Sequence, residues 1–251
     1  MTTTLGLVLG ALFLIIPLCI ANAYGVKAER KTLSMFIGML LRVSILGGVV
    51  YLLSKSGSAL LSVLFAIVVL IFSITTTIVK ARLKMRMFFV PIGVGMVVAI
   101  AMSLGILLFA NLTVGSDFCL RYLLPVVALL SGGIVDPIAK ALSTYYMGLR
   151  NHNQLYYYLL GNGASRAEAL RYLQKRALEQ AFSSCTRQAL AATSVSPVFM
   201  WTMLMCGTSV FDAVCWQLLI VMGVFASAIV AVVVALVVAR RYVTDGYAMI
   251  K

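Results

Sequence analysis

Few side chains in this sequence have the type and placement to do chemistry. Arg42 falls near the middle of an apolar run, 33–53. A charge at that depth of a bilayer costs at least about 2.5–3.5 kcal/mol on insertion scales, so it must face protein or water. Two roles fit it: an ion pair or carbonyl cap that fixes helix packing, or a cavity-lining cation that meets an anionic group. A fixed Arg repels a naked metal cation, so the second role favours a chelated or anionic ligand. Asp136 precedes Pro137 near one end of the run 118–139, and Arg187 stands a short way inside the run 178–206. Opposite charges at similar depth make a pair between them plausible, either as a structural bridge or as part of a gate. Met200, Met203 and Met205 offer soft thioether ligands for a metal relay, but Met is also ordinary filler in apolar packing. His152 is the single histidine; one imidazole cannot build a metal site, and polar contact with a partner or solvent is its expected use. The five cysteines, Cys19, Cys119, Cys185, Cys206 and Cys215, have no CxxC spacing and read as small apolar fillers. No residue set therefore makes a confident metal site.

A different kind of signal lies in LLGNGASRAEALRYLQKRALEQAF, residues 159–182. Ser165-Arg166-Ala167-Glu168 has the spacing of a capping box. The Ser side chain can accept from the third backbone N–H of a helix while the Glu reaches back. Gly161 and Gly163 break the helix before it. The segment thus predicts helix, glycine turn, helix, the second helix running on into the next apolar run. Its first turns carry Arg166, Arg171, Lys175 and Arg176, and the preceding MGLRNHNQLYYYLL brings three tyrosines and few charges. It reads either as an interfacial stretch with basic residues on lipid headgroups or as a docking element for a cytoplasmic partner.

Enzyme chemistry within the chain is not expected. There is no Gly-x-x-x-x-Gly-Lys loop to hold ATP, no GxGxxG and no HExxH. An intramembrane serine protease would need a base, and the one His is outside the apolar runs. No catalytic residue and no cofactor is assigned.

The elements that must position these residues follow from composition. The chain has 251 residues, 63% of them apolar and 11% charged, against roughly 25% charged in a soluble domain. Apolar runs long enough to cross a hydrocarbon core about 30 Å thick recur along it. The expected fold is all-α: a polytopic membrane protein of about seven transmembrane helices, at roughly 4–25, 33–53, 58–79, 87–110, 118–139, 178–206 and 213–239. Residues 1–251 form one membrane domain, with a polar segment at 141–176. The first run lacks a basic flank and exceeds a signal peptide's apolar core of about 7–15 residues, so it reads as a retained helix. The net charge of +13 implies no nucleic-acid partner. The connections 27–31, 80–86, 140–176 and 240–251 hold 16 of the 20 Lys and Arg residues, whereas 54–58, 111–117 and 207–212 hold only Lys55. The positive-inside rule then puts the N-terminus outside, and the polar segment and C-terminus in the cytoplasm.

The pattern L-x4-L-G-N-G-A-S resembles the loop by which ABC transporter permeases engage their ATPase subunits, where an LGAS-like turn follows a short coupling helix. The likeness extends over nearly the whole chain and points to the FetB-type permease family, associated with iron export, with plant relatives linked to aluminium tolerance. ERKTLSMFIGMLLRVSILGGVVYLL resembles that family's second span, RYLLPVVALLSGG its fifth, and LLGNGASRAEALRYLQKRAL its cytoplasmic loop. SVSPVFMWTMLMCGTSVFDAVCWQLLIVM resembles its signature through Pro197, Gly207, Ala213, Trp216, Gln217 and Met222. The chain departs from the family at Leu46, where Gln is usual, at GGIVD (132–136, with Gly133 and Asp136), and at Trp201-Thr202-Met203. These positions bear on the cargo rather than on the class.

The resemblance implies a permease subunit in the cell (inner) membrane that pairs with a second copy of itself. An ABC ATPase subunit, carrying the ATP and Mg, would dock through Leu160, Gly161, Gly163, Ala164, Ser165 and Glu168. Candidates for the translocation path are Arg42, Asp136, Arg187, Met200, Met203 and Gln217. The expected cargo is an iron-like metal or a metal chelate, moved outward. Rival readings are a permease for an anionic small molecule, a secondary carrier, which would show inverted repeats and interrupted helices, and a non-transport scaffold.

Overall fold

The computed structural model describes residues 29–56, 59–112, 123–151, 153–163, 165–195 and 197–243. The expected span 4–25, the cysteines at 19 and 119, Arg121, His152 and Ala164 lie outside the described residues. The chain divides into two compact units, Met1–Ser58 and Ala59–Lys251.

In the first unit a single helix is described, α1 (Glu29–Ser56), with an apolar segment over Ile37–Val49. Arg42 is exposed at the centre of that segment. At about 100° per residue, Gly38, Met39, Ile45, Leu46 and Val49 share its face. Ser44, Gly47 and Gly48 fall roughly 120–160° away, on the other side of the helix.

The second unit is built from α2 (Ala59–Ala81), α3 (Met85–Leu112), α4 (Leu123–Asn151), α5 (Asn153–Gly161), α6 (Arg166–Leu190), a π-helical turn (Ala191–Val195), α7 (Val198–Met205) and α8 (Val210–Val243). Four stretches, Val63–Ala81, Met85–Ile106, Pro125–Asn151 and Val210–Arg240, are long and apolar enough to cross a membrane. They mark the chain as a multi-pass membrane protein, whose backbone groups must be satisfied within helices. The run Thr75-Thr76-Thr77 obeys this rule too. Each hydroxyl donates back to a carbonyl three or four residues earlier, at Phe72 or Ser73, at 2.7–2.8 Å.

Close packing of small residues joins α3 to α8. Ala228, Ala231, Ala235 and Ala239 are fully buried along one stripe of α8. A Cβ at Gly95 would lie 2.6 Å from the carbonyl oxygen of Ala231, so only glycine permits this approach. α2 and α6 both pack on α4. The core continues past Pro137, which α4 carries without a break. There Leu142, Tyr145 and Leu149 of α4 are fully buried with Phe88 of α3 and Leu170 of α6. The helix expected to end near residue 139 therefore continues to Asn151, and the first part of the polar segment belongs to the bundle.

Two connections show why the chain turns where it does. Arg82 takes up a left-handed φ of 53° after α2, while the amides of Arg82 and Leu83 close the helix onto Val79 O and Ile78 O at 3.2 Å. At the start of α8, Ser209 Oγ accepts from the Asp212 amide at 3.1 Å and donates to its carboxylate at 2.6 Å. This is a second Ser-x-x-acid cap, readable from its spacing but not anticipated.

Candidate functional site

The run 178–206 was expected as one helix. It is instead broken. α6 widens into the π-helical turn at Ala191–Val195, and Pro197 precedes α7. Proline has no N–H to continue the ladder, and π-turns inside helices recur at functional sites. Within the π-turn, Thr193 donates its hydroxyl to Ala189 O at 2.8 Å. α7 begins without a side-chain cap, because Pro197 has no polar group to offer.

Gln217 of α8 supplies what the break lacks. Its Nε2 donates to Ala192 O at 2.9 Å, and its Oε1 accepts from the Met200 amide at 3.1 Å. One carboxamide thus bonds a carbonyl before the break and an N–H after it. Gln217 is 7% exposed, and within hydrocarbon each such group left bare is costly. Beside the clamp is a cavity of about 240 Å³ lined by Gly133, Cys185, Gln188, Phe199, Gln217 and neighbouring apolar side chains of α4, α6 and α8. Its walls are mostly apolar, with two carboxamides and one thiol among them.

The other sequence candidates scatter around this centre. Met200 contributes its backbone amide, and Met203 O accepts from Thr208 Oγ1 at 2.7 Å to close the turn into α8. Asp136 does not pair with Arg187. The carboxylate binds Lys80 at the end of α2, and Arg187 Nε donates to Ser183 O at 3.3 Å on its own helix. α4 and α6 do meet here, since Lys140, one turn beyond Asp136, donates to Ser184 Oγ at 3.2 Å. The expected pairing fails on facing: α6 buries Leu170, Leu173, Ala177, Ala181, Ser184 and Cys185, and Arg187 falls outside that stripe and is exposed. Arg42 belongs to the other unit.

The polar segment forms the predicted helix, turn and helix. α5 ends at Gly161. The amides of Asn162 and Gly163 return to Tyr158 O and Leu160 O at 3.1 Å, and Gly163 has φ +85°. Ser165 caps α6 with both halves of the box. Its Oγ accepts from the Glu168 amide at 3.3 Å, and the Glu168 carboxylate accepts from Ser165 N at 2.8 Å. The Ser165 hydroxyl also donates to that carboxylate, which holds the Glu168 carboxyl below its usual value. Inward anchors are Tyr156, Leu170 and Leu173, with Leu160 half-buried. Tyr157, Tyr158, Arg171, Tyr172, Lys175 and Arg176 remain exposed. A rigid, internally anchored element that displays Tyr and Arg has the composition of a protein interface.

Residues 4–243 match the family described as "Uncharacterised protein family (UPF0014)". The chain belongs to the UPF0014 family. Membership over nearly the whole length is consistent with a membrane permease of an ABC transporter, and the apolar helices agree with that class. No curated protein and no solved structure matches the chain.

Proposed function

We propose that this UPF0014 protein is the membrane-spanning permease subunit of an ABC transporter in the cell membrane, working as a pair of copies. Seven spans would put the N-terminus outside, and the element 153–176 in the cytoplasm. A separate ATPase subunit, holding ATP and Mg, would dock on that element, and its closure would be carried through α5 and α6 to the spans. The family match carries the reading; the capped, basic, tyrosine-bearing element gives it a place to act. Alternating access needs rigid bodies that move about a few joints, and the break held by Gln217, beside a cavity, would serve as such a joint. The resemblance to iron-export permeases directs the cargo to an iron-like metal, moved outward. A lining of carboxamides, a thiol and apolar groups favours a metal enclosed in an organic chelate over a bare ion.

The test is co-purification with an ATPase subunit, followed by ATP hydrolysis and chelate transport in liposomes. ATP-dependent transport that requires both subunits supports the proposal. The interrupted helix also favours a second reading, a secondary carrier. Transport by the chain alone, driven by an ion gradient and indifferent to ATP, would select that one.

A further inference from the structure

A second pocket, of about 370 Å³, opens between α2, α4 and α6 and is lined by Lys80, Asp136, Lys140, Ser143, Thr144 and Gln180. That volume is within the roughly 300–1,000 Å³ of small-molecule sites. Two ammonium groups and one carboxylate face it. Asp136 is engaged by Lys80, and Lys140 meets the neutral hydroxyl of Ser184 at 3.2 Å. Among the described residues Lys80–Asp136 is the ion pair, so the pocket keeps one uncompensated positive charge. The hydroxyls of Ser143 and Thr144 and the amide of Gln180 add neutral donors. Its depth is fixed by Lys80, which sits in the last turn of the spanning stretch Val63–Ala81. The mouth lies beside the end of α2 that is followed by Arg82, Lys84 and Arg86, a cluster of cations of the kind that gathers at headgroup level. Basic pockets between spanning helices at this level take anionic headgroups.

We infer that the Lys80–Lys140 pocket binds a phosphate monoanion, supplied either by an acidic phospholipid headgroup or by a soluble phosphate ester. Lys140 makes the primary contact, the hydroxyls of Ser143 and Thr144 take further phosphate oxygens, and Asp136 tempers affinity by occupying Lys80. This inference does not depend on the transport reading.

The test uses the full-length protein in neutral detergent, titrated with phosphatidylglycerol in one arm and glycerol phosphate in the other, with binding read by native mass spectrometry. Lys140→Gln keeps a polar group for Ser184 and removes the charge; it is expected to weaken binding about fivefold, the effect of one basic residue near a membrane surface. Asp136→Asn releases Lys80 and is expected to tighten binding by a similar factor, a direction that mere loss of structure would not give. Arg86→Gln, equally basic but outside the pocket, leaves binding unchanged. These dependences with phosphatidylglycerol assign a lipid site, and the same dependences with glycerol phosphate alone assign a soluble ligand. Binding of both probes that ignores Lys140, or falls as far with Arg86→Gln, overturns the proposal. So does an Asp136→Asn protein that stays folded and binds no tighter.

Discussion

Gln217 donates from Nε2 to the carbonyl oxygen of Ala192 at 2.9 Å, so a side chain of the spanning helix α8 completes the broken backbone between α6 and α7. The relationship predicts a stability cost with a direction. Gln217→Leu is nearly isosteric but leaves Ala192 O and the Met200 N–H without their partner. Each bare buried group costs about 1–3 kcal/mol, so the variant is expected to lose about 2 kcal/mol or more, read as a lower unfolding midpoint in detergent. Gln217→Glu keeps the acceptor for Met200 and loses the donor, and falls between. A Gln217→Leu protein as stable as the parent would remove the clamp from the account.

Gly163 is the turn between α5 and α6 at φ +85°, and a Cβ there would meet nothing within 4 Å. Any penalty is therefore conformational. Asn tolerates this region, whereas β-branched residues do not. If a partner ATPase docks on this turn, as proposed, Gly163→Asn should retain coupled ATP hydrolysis, and Gly163→Val should lose most of it while the spans stay folded. Equal coupling in the two variants would show that the shape of the turn is not what the ATPase reads.

Glu168 gives the capped segment a pH signature. The Ser165 hydroxyl and the Ser165 backbone N–H lower its folded pKa below the usual 4.5. The cap is then fully present above the ordinary carboxylate range and is lost as pH falls through the lowered folded value. Amide exchange at Ser165 should stay slow down to about that range and accelerate below it. Glu168→Gln, which can still accept from the amide but does not titrate, should flatten the profile. An unchanged pH dependence in that variant would assign the effect to another group.

The parts legible in the sequence were those set by neighbours along the chain. Ser165 and Glu168 are three residues apart, and their bonds follow from helix geometry alone. Apolar runs announce helices because length and hydropathy suffice. The partners of Asp136 and Gln217 were not legible in this way, because they depend on which stripe of each helix is buried. Lys80 is 56 positions from Asp136 and had been counted with a loop. Gln217 reaches back 25 positions to Ala192. The break itself had one local sign, Pro197 inside an apolar run. The π-turn before it leaves no pattern in the sequence.

Arg42 makes the last prediction. It is exposed at the centre of Ile37–Val49, on a face it shares with Gly38, Leu46 and Val49. Replacing it by Met removes a charge worth at least about 2.5–3.5 kcal/mol against insertion. Arg42→Met should therefore enter the membrane and fold at least as well as the parent. If Arg42 grips an anionic group of the cargo, Arg42→Lys should fold normally but transport about tenfold more slowly, since an ammonium lacks the planar fork that holds two oxygens. Thermal stability and ATP-driven uptake into inverted vesicles, measured on the same preparations, separate the two effects. Full transport by a stable Arg42→Met protein would leave the residue no part in cargo binding. Loss of transport in both variants with ATP hydrolysis intact would place it on the path.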